Sequence, residues 1–301
     1  RQGAEEPLPL PLPPRAYGNP RLSPDGQKLA VRTMGTVQSP LGVPQADQDV
    51  WVYDLVRGSL SRLTFEGWNG SPLWTPDGTR VVFNSDRESG LANLYWKSAD
   101  GSGVVERLLP NPEGQMVGSF SPDGKVLAFV PLRQDIWALD IDSDKPPWPL
   151  VQTRFDEYTQ AFSPDGRWLA YGSNESGRRE VYVVPYPGLD GRYQISTQGG
   201  AGPTWAGNGR ELFYHRLENG SLKMMAVDIA TEPEFRAGLP QQVFEGPYVA
   251  GAPVRSFDVP PDGQRFLMVR KGNPRELEPV TEMHLILNWT EELKRLVPTG
   301  N

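Results

Sequence analysis

Ser163-Pro164-Asp165-Gly166-Arg167-Trp168-Leu169-Ala170-Tyr171 reads as a tight turn that opens into a strand. Pro164 pre-sets φ for the second position of a type I turn, Asp165 tolerates the third, and Gly166 takes the left-handed conformation that a side chain resists. After Gly166 the chain turns aromatic and apolar, the composition of a strand. Phe162 ends another apolar run just before Ser163, so the stretch is the tip of a β-hairpin.

The stretch recurs. Ser23-Pro24-Asp25-Gly26, Thr75-Pro76-Asp77-Gly78, Ser121-Pro122-Asp123-Gly124, Ala206-Gly207-Asn208-Gly209 and Pro260-Pro261-Asp262-Gly263 bring the copies to six. Four residues before each turn glycine stand Leu22, Trp74, Phe120, Phe162, Trp205 and Val259. Three after it stand Leu29, Val81, Leu127, Leu169, Leu212 and Phe266, and five after it Val31, Phe83, Phe129, Tyr171, Tyr214 and Met268. Residues at +3 and +5 share one face of a strand. The glycines are spaced 42–54 residues apart. A period of that length carrying several short strands per unit predicts a β-propeller.

The 301 residues would allow one large all-β domain or two smaller ones, and a single series of repeats favours one. Gly and Pro are abundant but fall between strands. The net charge of −7 argues against nucleic acid, which needs a basic face. There is no cysteine, which rules out disulfides and thiolate metal sites. No run of about 18 apolar residues is long enough to span a membrane, so membrane insertion by this chain is not expected. Residues 1–15 lack the apolar core of a signal peptide, and the absence of an initial Met suggests a piece cut from something longer.

The expected blades cover residues 16–64, 65–110, 111–153, 154–197, 198–246 and 247–289, four strands to a blade. The last has three strands of its own (Ser256–Val259, Arg265–Arg270 and Met283–Asn288). A helix over 290–297 then follows, with Asn288 as cap and Glu291 three residues on. The missing strand must come from elsewhere. The Leu-Pro alternation near the amino terminus is either a linker or an edge strand, where proline is tolerated. Residues 4–10 are expected to pair with Met283–Asn288 and close the ring, removing open edges.

These turns, with Phe83-Asn84-Ser85-Asp86-Arg87 and Asn93-Leu94-Tyr95, resemble the TolB-like, WD-repeat-like six-bladed propellers. The run from Tyr171-Gly172-Ser173-Asn174-Glu175 through Glu180-Val181-Tyr182-Val183 and Gly209-Arg210-Glu211-Leu212-Phe213-Tyr214 resembles a narrower group. So does the ending Leu287-Asn288-Trp289-Thr290-Glu291-Glu292-Leu293-Lys294. That group is the carboxy-terminal propeller of bacterial, acidobacterial-type serine/threonine kinases, which lies outside the cytoplasm. The resemblance spans essentially the whole chain. It implies an extracytoplasmic location, periplasmic or cell-surface, and a sensor or protein-binding role. Blade five departs from the pattern at Ala206-Gly207-Asn208-Gly209. Kinase motifs are absent from the chain, so it does not itself transfer phosphate.

The turn aspartates Asp25, Asp77, Asp123, Asp165 and Asp262 are read as turn residues and not as metal ligands. Asp140-Ile141-Asp142-Ser143-Asp144 has the start of an EF-hand loop, but Lys145 and Val151 stand where Gly and Glu are required, so a solvated turn is favoured. No Gly-x-Ser-x-Gly is present, and the two histidines, His215 and His284, sit at strand ends.

The face opposite the repeated turns offers more. Tyr17, Asn69, Gln115 and Glu157 stand nine residues before their turn glycines; Tyr158 and Arg255 stand eight before. With Asn19 and Trp68 they are expected to ring the mouth of the channel, flanked by Arg15, Arg154, Phe155 and Asp156. Aromatic and Arg side chains are the usual anchors of interfaces, and filling of the channel mouth is the competing reading. A calcium ion held by Asn19, Asn69 and Glu157, as in lactonase-type propellers, is the rival that would make the chain a metal-dependent hydrolase. The favoured expectation is a monomeric, non-catalytic module without a cofactor. It takes a protein, peptide or small ligand at the channel mouth, within a receptor-type kinase or as a free TolB-like periplasmic scaffold.

Overall fold

The computed structural model describes residues 4–8, 16–38, 44–88, 90–109, 113–131, 135–188, 190–251, 254–260, 262–271 and 283–287. Each hairpin that opens on a repeated turn continues into a third and a fourth antiparallel strand. The first blade runs Ala16–Leu22, Lys28–Gln38, Val50–Asp54, Ser59–Arg62, with Pro44–Asp47 folded against Lys28–Gln38. The second is Asn69–Trp74, Arg80–Ser85, Asn93–Ser98, Glu106–Arg107, and the third Gln115–Phe120, Val126–Pro131, Ile136–Asp140, Trp148–Val151. The fourth is Glu157–Phe162, Trp168–Ser173, Glu180–Pro185, Tyr193–Gln194. The fifth is Ala201–Trp205, Glu211–Glu218, Ser221–Ala230, Arg236–Ala237, with Gln241–Gly246 also paired to Ser221–Ala230.

The expectation of six four-stranded blades is corrected here. Five sheets have four or more strands; the last repeat supplies only a three-stranded sheet, Ala4–Leu8, Met283–Leu287, Phe266–Val269. Ala4 pairs with Leu287 and Leu8 with Met283, so the two ends of the chain meet in one sheet as expected. The predicted inner strand Ser256–Val259 is reduced to a bridge, Asp258↔Leu267. One of its carbonyls, Phe257 O, accepts from Arg21, and the carbonyl just before it, Arg255 O, accepts from Asn19 and Arg21. Pro260 brings no N–H to continue a ladder. The expected helix over 290–297 lies outside the described residues, among which there is no helix.

The repeat predicts the core closely. The residues three after each turn glycine, Leu29, Val81, Leu127, Leu169, Leu212 and Phe266, are all 0% exposed. Burying each contributes about 1.5–3 kcal/mol. Six apolar wedges fill the spaces between neighbouring sheets. One joins Phe213 and Phe244 of the fifth blade to Phe266 and Met268; another joins Tyr17, Leu29 and Val31 of the first blade to Leu267 and Val269. The three-stranded sheet therefore stands between the fifth blade and the first, and the ring is closed.

The turns behave as their chemistry dictates. All six glycines have φ between +65° and +75°. The side-chain Oδ1 of Asp25, Asp77, Asp123, Asp165, Asn208 and Asp262 each accepts the N–H two residues on, at 2.9–3.2 Å. From the second turn on, each leans on the one before: Gly124 faces Pro76 and Gly166 faces Pro122, with room for no more than ordinary contact.

Candidate ligand site in the central channel

Every complete blade's innermost strand carries an irregularity halfway along. In the first blade Gly18 pairs with Arg32 and Arg21 with Ala30, so Asn19 and Pro20 face a single residue. The same two-for-one bulge follows Gly70, Tyr158 and Ala201. Asn19, Ser71, Thr159 and Gly202, all seven residues before their turn glycines, have φ of 49–64°. Val117 holds that position in the third blade. There the bulge lies between Val117 and Ser119 instead. The bulges twist each inner strand and re-aim the residues beyond it. Those side chains line the channel: Arg21, Leu73 and Ser119, with Gln160, Pro203 and Arg255.

Two arginines dominate this space. Arg21 Nη1 donates to Pro20 O at 2.7 Å and Phe257 O at 3.1 Å, and Nη2 to Arg255 O at 2.7 Å. Burial, then the neighbouring Arg255, push its pKa down to about 9 against the pull of Asp258. Arg255 Nη1 donates to Thr204 Oγ1 at 3.1 Å and Nη2 to Asp258 Oδ1 at 2.8 Å. Asp258 Oδ2 accepts the N–H of Leu22 at 2.7 Å. Both amide atoms of Gln160 and the hydroxyl of Ser119 are buried without a partner. On the side of the repeated turns the channel widens into a funnel of about 340 Å³, walled by Leu22, Trp74, Phe162, Trp205 and Val259. The two tryptophans bind neighbouring inner strands, Trp74 Nε1 to Arg21 O at 2.9 Å and Trp205 Nε1 to Ala161 O at 3.1 Å.

Six of the eight residues expected at the opposite mouth are buried: Tyr17, Asn19, Asn69, Gln115, Glu157 and Tyr158. Tyr17 is 2% exposed and packs in the wedge with Leu29 and Val31. Asn69 is buried: its Nδ2 donates to Asp49 Oδ1, Glu66 O and Gly67 O, and its Oδ1 accepts from Arg87. Gln115 accepts the N–H of Leu94. Glu157 accepts from Thr153 Oγ1 at 2.5 Å and Ser173 Oγ at 3.5 Å, and its other oxygen is unpartnered. Burial pushes its pKa above the usual carboxylate range, against the hydrogen bond from Thr153. Tyr158 lies under the Arg179 guanidinium, 4.8 Å from its ring centre, with burial raising its pKa. Trp68 is half-buried with Arg32 above its ring at 5.9 Å. Asn19 donates to Arg255 O. Of the eight, Arg255 lines the constriction and the funnel on the side of the repeated turns.

Of the three residues expected to hold calcium, Asn69 and Glu157 make the hydrogen bonds given above and Asn19 donates to Arg255 O; among the described residues no three acid, cysteine or histidine side chains gather. Asp140 Oδ1 accepts the N–H of Asp142 at 3.2 Å, an ordinary turn contact. His215 is 2% exposed, edge-on to Phe257, and burial holds its pKa down at about 4.

Reading the chain alone misses two features. Arg21 and Asp258 occupy the same repeat position, five before the glycine, in the first and last repeats. Opposite charges at that inward position were the available signal. The second is a lock at the start of the third strand. Asp49 accepts from Thr64 Oγ1 at 2.7 Å while Thr64 Oγ1 accepts the N–H of Val50; Glu180 and Ser196 repeat this with Val181. An acid followed 15 or 16 residues later by a hydroxyl marks it.

Residues 14–202 match the family described as TolB beta propeller domain. Over 213 residues the chain is 26% identical to an uncharacterised peptidase of Bacillus subtilis (strain 168), covering 55% of this chain and 32% of that protein. Over 185 residues it is 28% identical to an uncharacterised protein of Agrobacterium fabrum, covering 58% and 57%. The chain thus spans about a third and a little over half of these two relatives. A solved putative TolB from Agrobacterium tumefaciens superposes with a TM-score of 0.64 at 19% identity, covering 78% of this chain and 82% of that one. At that identity the likeness concerns the fold alone.

Proposed function

The chain belongs to the TolB beta propeller family, and on that premise we propose that it is a non-catalytic binding module that holds a partner over its central channel. The observation that carries this is convergence. Side chains from all five blades and from the segment before Asp258 reach one channel, so a single ligand touches most of the ring at once. Pockets with a few convergent polar groups are the usual ligand sites. Trp68 under Arg32 and Tyr158 under Arg179 are the aromatic anchors this reading assigns to the partner.

The test is a pull-down from extract with immobilised protein, repeated with Trp68→Ala, Tyr158→Ala and Arg255→Ala. A partner retained by wild type and lost from at least one variant supports the reading. A partner retained equally by all three moves the site elsewhere.

The same reading puts the module outside the cytoplasm, as the sensor part of a receptor-type serine/threonine kinase. Its support is the run from Tyr171 to Tyr214 and the ending Leu287–Lys294. The full reading frame tests it: a kinase domain and a membrane helix upstream are expected, and their absence leaves a free TolB-like scaffold. The Bacillus relative's name favours a second reading, a propeller serving a peptidase. Hydrolysis of peptides or esters by the purified chain, abolished in Glu157→Ala, would establish catalysis here.

A further inference from the structure

The channel has one positive charge too many. Arg21, Arg255 and Asp258 are the only charged groups among the described residues lining it and its funnel. Asp258 is ion-paired to Arg255 at 2.8 Å. Arg21 is bonded only to the neutral carbonyls of Pro20, Phe257 and Arg255. The single acid Asp258, already ion-paired to Arg255, is shared between the two cations, and buried polar atoms in native proteins are normally paired. Gln160, 4% exposed, nonetheless has both amide atoms unpartnered beside this space, and Ser119 Oγ is also unpartnered. Two guanidinium groups, with an unpartnered hydroxyl and an unpartnered amide, make a donor set suited to an anion.

We propose that the constriction between Arg21 and Arg255 is a site for one carboxylate carrying an apolar body, entered from the side of the repeated turns. The net charge of the lining calls for a single negative charge, and a flat carboxylate matches guanidinium geometry. Arg21, Arg255 and Ser119 line both the narrow channel and the funnel, so the anion sits at the junction. The funnel wall of Leu22, Trp74, Phe162, Trp205 and Val259 then receives the apolar part. The carboxylate ends either a peptide chain or a small organic acid, since both have this chemistry. The site rests on the same channel as the partner surface proposed above and shares Arg255 with it; the amidated peptide and Gln160→Glu test the carboxylate, whereas Trp68→Ala and Tyr158→Ala test that surface.

The experiment is calorimetric titration of the whole chain with three probes: 4-methylvalerate, the peptide Ala-Ala-Leu with a free carboxyl terminus, and the same peptide amidated. Wild type is expected to bind at least one free carboxylate and to lose about tenfold or more on amidation, the loss of a charge-assisted bond. Binding of the acid alone identifies a small-molecule site; preference for the peptide identifies a chain-terminus site. Arg21 also ties the ring together, so the decisive variant is Gln160→Glu, which is isosteric and carries its own counter-charge. It is expected to keep the fold, to lose the carboxylate and to lose the thermal stabilisation that the probe gives wild type. Absence of binding by wild type, equal binding of the amidated peptide, or unchanged binding by Gln160→Glu each overturns the proposal.

Discussion

Asp258 accepts the backbone N–H of Leu22 at 2.7 Å, a bond from the last repeat to the innermost strand of the first, 236 residues apart in sequence. Its second oxygen holds Arg255. One carboxylate thus serves the seam of the ring and the charge balance of the channel together. Asp258→Ala removes an acceptor from a backbone N–H and leaves the buried Arg21 and the half-buried Arg255 without an acid. The expected loss is about 2–4 kcal/mol, read by urea denaturation, with Asp258→Asn intermediate. A loss below half a kilocalorie would show that the seam is held by its apolar wedge alone.

The strand Ala4–Leu8 covers the edge of Met283–Leu287. Deleting residues 1–8 uncovers that edge. A lost strand is worth about 1–2 kcal/mol, which in a chain of this size lowers Tm by several degrees. Aggregation should rise as well, because an open edge pairs with other chains. An unchanged melting curve would mean that the pairing contributes nothing to stability.

Gly166 sits at φ +69° with Pro122 of the preceding turn 3.5 Å from where a Cβ would lie. Gly166→Val combines a strained left-handed β-branched residue with crowding against that ring. About 1–3 kcal/mol of destabilisation is expected, with Gly166→Asn close to wild type because Asn tolerates this region. Equal losses for Val and Asn would point to crowding instead of backbone strain.

His215 and Glu211 share one strand and set opposite pH limits. Burial lowers the His215 pKa to about 4. The unfolded chain therefore binds its proton first, and stability present above pH 6.5 drains away as pH falls toward 4, by on the order of 2–3 kcal/mol at pH 4.5. His215→Gln should flatten that acid limb. Glu211 has its pKa raised to about 7 by burial and by Asp228, its direct cross-strand partner. Its contribution is full below about 4.5 and is lost as pH rises through 7. Glu211→Gln should add about 1 kcal/mol or less at pH 8, since the site is partly solvated. Denaturation at pH 4.5, 6 and 8 checks both signs; a flat profile for wild type would refute them.

Local chemistry decided what was local. The six turns, the hairpins that leave them and the buried +3 and +5 faces are all written in Ser-Pro-Asp-Gly and the alternation after it. Turn dihedrals and strand periodicity depend on neighbours a few residues away. The pairing of residues 4–8 with 283–287 was legible too, by counting strands. What the chain did not disclose depends on which residues meet after the ring closes. Asn69, Gln115 and Glu157 share a repeat position that suggested an open mouth, yet each is drawn into hydrogen bonds with an adjacent strand or loop. The last repeat keeps its turn but its inner strand is reduced to a bridge, with Phe257 O bonded to Arg21 and not to a neighbouring strand. The channel's surplus charge exists only because Arg21 and Arg255, at opposite ends of the sequence, are pressed together there with a single acid, Asp258, between them. Closure of a ring is a long-range event, and no local pattern encodes the company a buried charge will keep.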